Sequence, residues 1–232
     1  MIVPPSPPLH SIIPSEVYPL GLKWWLGVPI VCADSDGVEC PGCLKPVDLY
    51  GDHLLCCPRN NFNLRHAAVQ EALANVFTAS GQGFTREVTL PGQVDAELRP
   101  ADLLLSSWQS GKPMAVDITV SHSWQHWERL VVSREHWRSF LPRKEGAKRL
   151  KYDIPCQEAG WSFTPMAFGT WGGQGPEAAK LLQRAAAWQE GDLRAGRQDV
   201  IRCAVGLALM RQVWWLLGSQ NFLPVARRGA RS

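Results

Sequence analysis

Met114-Ala115-Val116-Asp117-Ile118-Thr119-Val120 is the stretch on which the fold turns. Its alternation predicts a strand, with Met114, Val116, Ile118 and Val120 on one face and Ala115, Asp117 and Thr119 on the other. A carboxylate in the middle of such a strand is costly to bury unless a cation or metal partners it. Upstream, Arg99-Pro100-Ala101-Asp102 opens a second strand over 101–106, and 84–90 reads as a third. If 101–106 and 114–120 are neighbours, Asp102 and Asp117 point to one end of the sheet and can share a divalent ion. Mg2+ suits that arrangement, taking one or two carboxylates and completing its shell with water or phosphate oxygens. The plainer alternative is a structural Asp pair capped by backbone amides.

Working outward, Asn60 or Asn61 can cap a helix over 62–80, whose stripe is Val69, Leu73, Val76 and Phe77 and whose stop is Gly81. After 114–120, Ser121 or Ser123 can cap a helix carrying Trp124, Trp127, Leu130 and Val131, which Pro142 is expected to break. A second helical piece covers 143–152, 161–168 reads as a fourth strand, and Pro176 suits the first position of a helix over 177–189. A last helix is expected over 198–217. Helix, three strands, helix, strand and further helices describe a small α/β domain with a mixed central sheet. Lys144, Lys148 and Lys151 share one helical face with Tyr152 nearby, so one of these lysines can reach the two carboxylates; the alternative is a solvated lysine stripe. Glu87, mid-strand, and Glu71, on the first helix, are candidates for a third acid.

Four of the seven cysteines crowd between Cys40 and Cys57, in a loop-rich stretch over 32–58 with Gly37, Gly42 and Gly51 as turn signals. Cys40-Pro41-Gly42-Cys43 forms one close pair, and His53 with Cys57 forms a second. Tetrahedral zinc needs four such soft or borderline donors, and Cys40, Cys43, His53 and Cys57 supply them, with Cys56 a competitor for the fourth place. Four protein ligands leave no open position, so the site would be structural. The alternative is a set of buried free thiols with a surface His.

The chain has 232 residues, 45% of them hydrophobic and 19% charged, which excludes a wholly disordered protein. The most apolar run, 203–210, is interrupted by Arg202, Arg211 and Gln212 before it could cross a bilayer. MIVPPSPPLHS lacks the basic flank and apolar helix of a signal peptide, so an intracellular protein is expected, with thiols favouring metal over disulfide. The formal charge of +3 hides a segregation. Asp34 to Asp52 carries five carboxylates against one Lys, whereas Arg129 to Lys151 carries eight Lys or Arg against two Glu. The tail adds Arg227, Arg228 and Arg231. A basic segment of that density can follow a phosphate backbone, and it can equally be a solvated helix face. Arg134, Arg138, Arg143 and Lys144 are its candidate phosphate contacts, joined by Arg65 and His66 at the start of the first helix. The eleven Trp could in part stack on unpaired bases.

Taken together, CPGC, YGDHLLCC, NLRHAAVQEAL, LRPADLLL, MAVDITVSHSW, KRLKY and FTPMAFGTWGG resemble the C-terminal region of non-LTR retrotransposon proteins that carry a restriction-like endonuclease. The resemblance covers roughly residues 20–190, and Leu22-Lys23-Trp24-Trp25-Leu26-Gly27 is similar to the segment just ahead of the family's zinc knuckle. It implies a zinc knuckle followed by a PD-(D/E)xK nuclease core with a mixed sheet flanked by helices. It assigns Cys40, Cys43, His53 and Cys57 to structural Zn2+, Asp102 and Asp117 to catalytic Mg2+, and Lys151 with Tyr152, or else Lys148, to the displaced catalytic lysine. Two features depart from the family pattern: Ala101 separates Pro100 from Asp102, and Thr119 stands where a lysine two residues after the second acid would be. No polymerase segment accompanies the core, so a fragment or a standalone copy is expected.

The implied organisation is a Pro-rich start (1–19), a zinc-knuckle module (20–60), a nuclease core (61–190), a C-terminal helix (191–225) and a basic tail (226–232). The implied activity is metal-dependent nicking of DNA, with DNA or a retroelement's RNA as partner, no membrane and no small-molecule substrate, and a nuclear location if the target is genomic. Two other classes fit the same residues: a catalytically silent nucleic-acid-binding module, and a zinc-stabilised interaction domain.

Overall fold

The computed structural model describes residues 13, 15, 17–31, 38–59, 62–91, 99–108, 111–122, 134–188 and 194–218. The chain divides into two compact units, one drawn from residues 1–64 and 210–232 and the other spanning Arg65–Leu209. The boundary between the units falls within the helix expected over 198–217, whose residues from 210 onward belong to the first unit.

In the larger unit a four-stranded sheet is built from β1 (Phe84–Val88), β2 (Ala101–Trp108), β3 (Lys112–Ser121) and β4 (Ser162–Gly169), in the order β1-β2-β3-β4. β1, β2 and β3 are successively antiparallel, and β4 runs parallel to β3. The mixed sheet expected from the sequence is present: a short link reverses β2 into β3, and a helical crossover returns the chain alongside β3. Leu103, Leu105, Val116, Ile118, Met166 and Phe168 are all buried. On the other face of the sheet, Ala115 and Phe163 meet Tyr152 and Cys156 of the crossover helix in one apolar cluster.

That crossover is α4 (Arg134–Glu158), a single 25-residue helix with Pro142 and Pro155 inside it. The expected break at Pro142 does not occur. Each proline removes one intrahelical bond at a cost of roughly 3 kcal/mol, but helices in proteins are held chiefly by the face they bury. Here Glu145, Tyr152 and Cys156 are buried on one stripe. The helix expected to carry Trp124, Trp127, Leu130 and Val131 lies outside the described residues. α3 (Phe62–Ala79) buries Val69, Leu73 and Phe77, with Phe77 edge-on to Trp108. Its C-terminal neighbour Ser80 donates to the Ala185 carbonyl of α5 (Pro176–Trp188) at 3.0 Å. α6 (Arg194–Gly218) begins ahead of its expected start at 198.

Glu145 joins α4 to the rest of the sheet unit. It is only 2% exposed, and its carboxylate accepts the backbone N–H groups of Ala167, Glu177 and Ala178 at 3.1–3.4 Å, closing the N-terminus of α5. Gly175 makes room for it: a Cβ there would overlap the Glu145 carboxylate.

In the smaller unit, the segment containing Trp24 and Trp25 is helical, as α1 (Tyr18–Trp25). Tyr18 meets Trp214 edge to face at 5.5 Å, and any side chain at Gly21 would strike the Trp214 ring. The loop-rich stretch also contains a five-residue helix, α2 (Asp52–Cys56), which the glycine-rich sequence does not announce. Among the described residues no helix is long and apolar enough to cross a membrane.

Two outcomes follow from the Glu145 seat. Gly175→Ala should lower unfolding stability by about 1–3 kcal/mol, the usual cost of forcing atoms into a packed site, as read by denaturant titration. Burial, opposed by the three amide donors, pushes Glu145 above its ordinary value of 4.5. The folded state thus holds that proton more tightly than the unfolded chain, and the contribution is full below 4.5 and lost as pH rises through the raised value. Glu145→Gln should remove this part of the slope in a melting-temperature series against pH.

Candidate active site and metal centre

The β2–β3 ladder pairs Leu105 with Met114, Leu104 with Ala115 and Leu103 with Val116. One step further the register sets Asp102 across from Asp117, and there the ladder opens. The Ile118 N–H, which a closed ladder would direct to a backbone carbonyl, donates instead to Asp102 Oδ2. β3 remains paired to β4 through this region, Asp117 lying beside Pro165. The two carboxylates therefore stand side by side at the place where two strands part.

Their surroundings differ. Asp117 is 4% exposed, with Lys148 Nζ donating to its Oδ1 at 2.9 Å and Thr119 Oγ1 to its Oδ2 at 3.4 Å. Burial raises its pKa, and the Lys148 charge and hydrogen bond only partly offset this. A second cation would relieve the remaining cost of keeping it ionised. Asp102 is less enclosed, and its Oδ2 also meets His66 Nε2 at 3.1 Å. The hydrogen bond to Asp102, ahead of an opposing burial effect, raises His66, and the charges of Asp102, Glu87 and Asp117 add to the rise.

Glu87 lies opposite Asp102, since Arg86 pairs with Leu103 and Val88 with Ala101. Its φ is +51°, a left-handed conformation that costs a non-glycine residue about 1–2 kcal/mol. Gln70, buried on α3, donates to Glu87 Oε1 at 2.8 Å and to the Asp102 carbonyl at 2.9 Å. Glu71 is drawn away from this group, pairing with Arg86 at the surface.

Of the two lysine candidates, Lys148 is the one on Asp117. Lys151 is exposed, with its ammonium 4.9 Å from the centre of the Tyr152 ring. Tyr152 itself is buried against Phe163 and belongs to the core. Among the residues expected to meet phosphate, Arg138, Arg143 and Lys144 are exposed along α4. Arg65 is buried, which takes it off the surface, and His66 is turned onto Asp102. The side chain of Arg134 and the tail arginines lie outside the described residues.

The second candidate centre is the cysteine cluster. Donor atoms of Cys40, Cys43, His53 and Cys57 all lie within 4.8 Å of one another. A tetrahedral zinc site with metal–sulfur bonds of about 2.3 Å has edges of about 3.8 Å, so these four donors fit a metal such as zinc with little adjustment. Cys57, not Cys56, completes the set. Two local devices build it. After Cys40 the chain turns, Leu44 N–H donating to the Cys40 carbonyl at 2.7 Å with Leu44 at φ +59°. Asp48 then accepts the N–H groups of Tyr50, Asp52 and His53, which starts α2 and aims His53 back at Cys43, 3.1 Å away. A backbone hydrogen bond from Lys45 is the largest influence bringing the Cys43 thiol down to about 7, whereas burial pushes Cys57 up.

Gln70, Glu145 and Asp48 were not singled out from the sequence. Gln70 had a signal, standing four residues after His66 on the same helical face. Glu145 reads as an ordinary acid in a basic helix. No family model matches this chain, and no curated protein is similar to it at a significant level.

The cluster carries a direct expectation. The purified chain should hold about one equivalent of zinc by atomic absorption, Cys57→Ser should lose it, and Cys56→Ser should keep it.

Proposed function

We propose that the chain is a metal-dependent endonuclease that nicks DNA, of the restriction-like type found in non-LTR retrotransposon proteins. The observation that carries this reading is that Asp102 and Asp117 face each other just beyond the last β2–β3 pair, with Lys148 bound to the second acid. The order of helix, three antiparallel strands, crossover helix and parallel strand supports the same reading.

Asp102 and Asp117 would hold Mg2+. That ion supplies Lewis acidity toward a phosphate oxygen and a bound water of lowered pKa. Lys148, one-third exposed with its ammonium at Asp117, would compensate charge that develops on the phosphate and orient the nucleophile. Arg138, Arg143 and Lys144 would follow the backbone of the nucleic acid. The Cys3His cluster would take structural zinc, and a genomic target would place the protein in the nucleus.

Mg2+-dependent nicking of a plasmid or a branched duplex tests the assignment. Asp102→Ala and Asp117→Ala should abolish cleavage while DNA binding survives. Lys148→Met should cost about 100–1000-fold in rate, the range for loss of one transition-state donor, and Lys151→Met far less. A wild-type chain that binds DNA and never cuts under any divalent ion would instead be a binding module. Separately, replacing Arg138, Arg143 and Lys144 by Ala should weaken DNA affinity across all sequences. The slope of affinity against salt should fall by about 1 for each phosphate no longer neutralised.

A further inference from the structure

We propose that His66 and Gln70, one turn apart on α3, form a positioning clamp that fixes which oxygen of Asp102 is left to coordinate a divalent ion; this rests on the endonuclease reading above. His66 Nε2 meets Asp102 Oδ2 at 3.1 Å, and the same oxygen accepts the Ile118 N–H. A carboxylate oxygen offers about two acceptor positions, so Oδ2 is filled, and Oδ1 carries no hydrogen bond among the described residues. The clamp thus leaves Oδ1 as the coordinating atom. Gln70 holds the other end of the residue. Its amide nitrogen donates to the Asp102 carbonyl and to Glu87 Oε1, so both of its N–H bonds are used and the backbone of β2 cannot rotate away from α3.

His66 is 31% exposed, and its Nε2 is turned to Asp102. A phosphate contact through Nε2, natural for a His beside Arg65 at the start of a helix, would require it to release Asp102. Partners of this kind behind a ligating carboxylate commonly alter metal affinity by about 10–100-fold when removed.

The test uses the full chain with its Cys3His cluster loaded with zinc, titrated with Mn2+ by isothermal calorimetry, alongside duplex-DNA affinity without divalent ions and Mg2+-dependent nicking. His66→Ala and Gln70→Ala should each weaken Mn2+ binding about 10-fold or more, with DNA affinity unchanged, and His66→Gln, which keeps an N–H donor, should recover most of the loss. Should Gln70→Ala unfold by circular dichroism, Gln70→Met keeps the volume and removes both donors. Normal Mn2+ affinity with weakened DNA binding would show His66 to be a phosphate contact and overturn the clamp while leaving the endonuclease reading in place. A wild-type chain that neither binds Mn2+ outside the cysteine cluster nor nicks DNA would overturn both.

Discussion

The sheet unit is organised around one carboxylate held where ionisation is unfavourable. Asp117 sits in a central strand, almost sealed from water, and burial raises its pKa. Lys148 answers that cost, and because it stands on α4 its position is tied to everything else that helix does. Tyr152 and Cys156, one and two turns on, pack against Ala115 and Phe163, and Glu145, one turn back, seats α4 against β4 and α5. One stripe of a single helix therefore contributes, in order, a capping acid, a cation and a hydrophobic anchor. The two prolines within α4 are tolerated because this stripe, and not the completeness of the hydrogen-bond ladder, decides where the helix lies.

The opening between β2 and β3 follows from the same constraint. Where Asp102 and Asp117 face each other, two carboxylates oppose within a continuous ladder, which is unfavourable unless something cationic or donating intervenes. The strands part, Asp102 accepts the amide that would otherwise lack a partner, and His66, Gln70, Glu87 and Lys148 gather around the pair. Thr119 occupies the position two residues after the second acid. It can supply a weak hydroxyl contact but no charge, which is why the cation must come from a distant helix.

Much of this is legible in the sequence. Period-two alternation identifies β3 and places Asp117 inside it, the 101–106 run gives β2 with Asp102 near its start, and the i, i+4, i+7 spacing puts the three lysines on one helical face. The spacing of Cys40, Cys43, His53 and Cys57 names the four donors that converge. Other features are not legible, for physical reasons. Helical spacing says which residues share a face but not which of two lysines one turn apart meets the sheet; that depends on the rotation of α4, set by Glu145 through partners far along the chain. The choice between Cys56 and Cys57 depends on the direction of α2, which Asp48 fixes by capping. Pro142 misleads because proline's local preference is real but smaller than the burial opposing it. Arg65 and His66, read as phosphate contacts from their place at a helix start, turn inward because α3 begins against the sheet.

The topology also sets how far apart along the chain the partners of the site lie. β2 and β3 form a hairpin, so a short loop joins Asp102 and Asp117, whereas Lys148 stands on the crossover that leads from β3 to its parallel neighbour β4. Parallel pairing across such a crossover is the slow kind, because chain entropy is lost before its contacts form. The helix that carries the ammonium to Asp117 is also the one that packs over its face of the sheet, so enclosure and compensation of the charge come from one element.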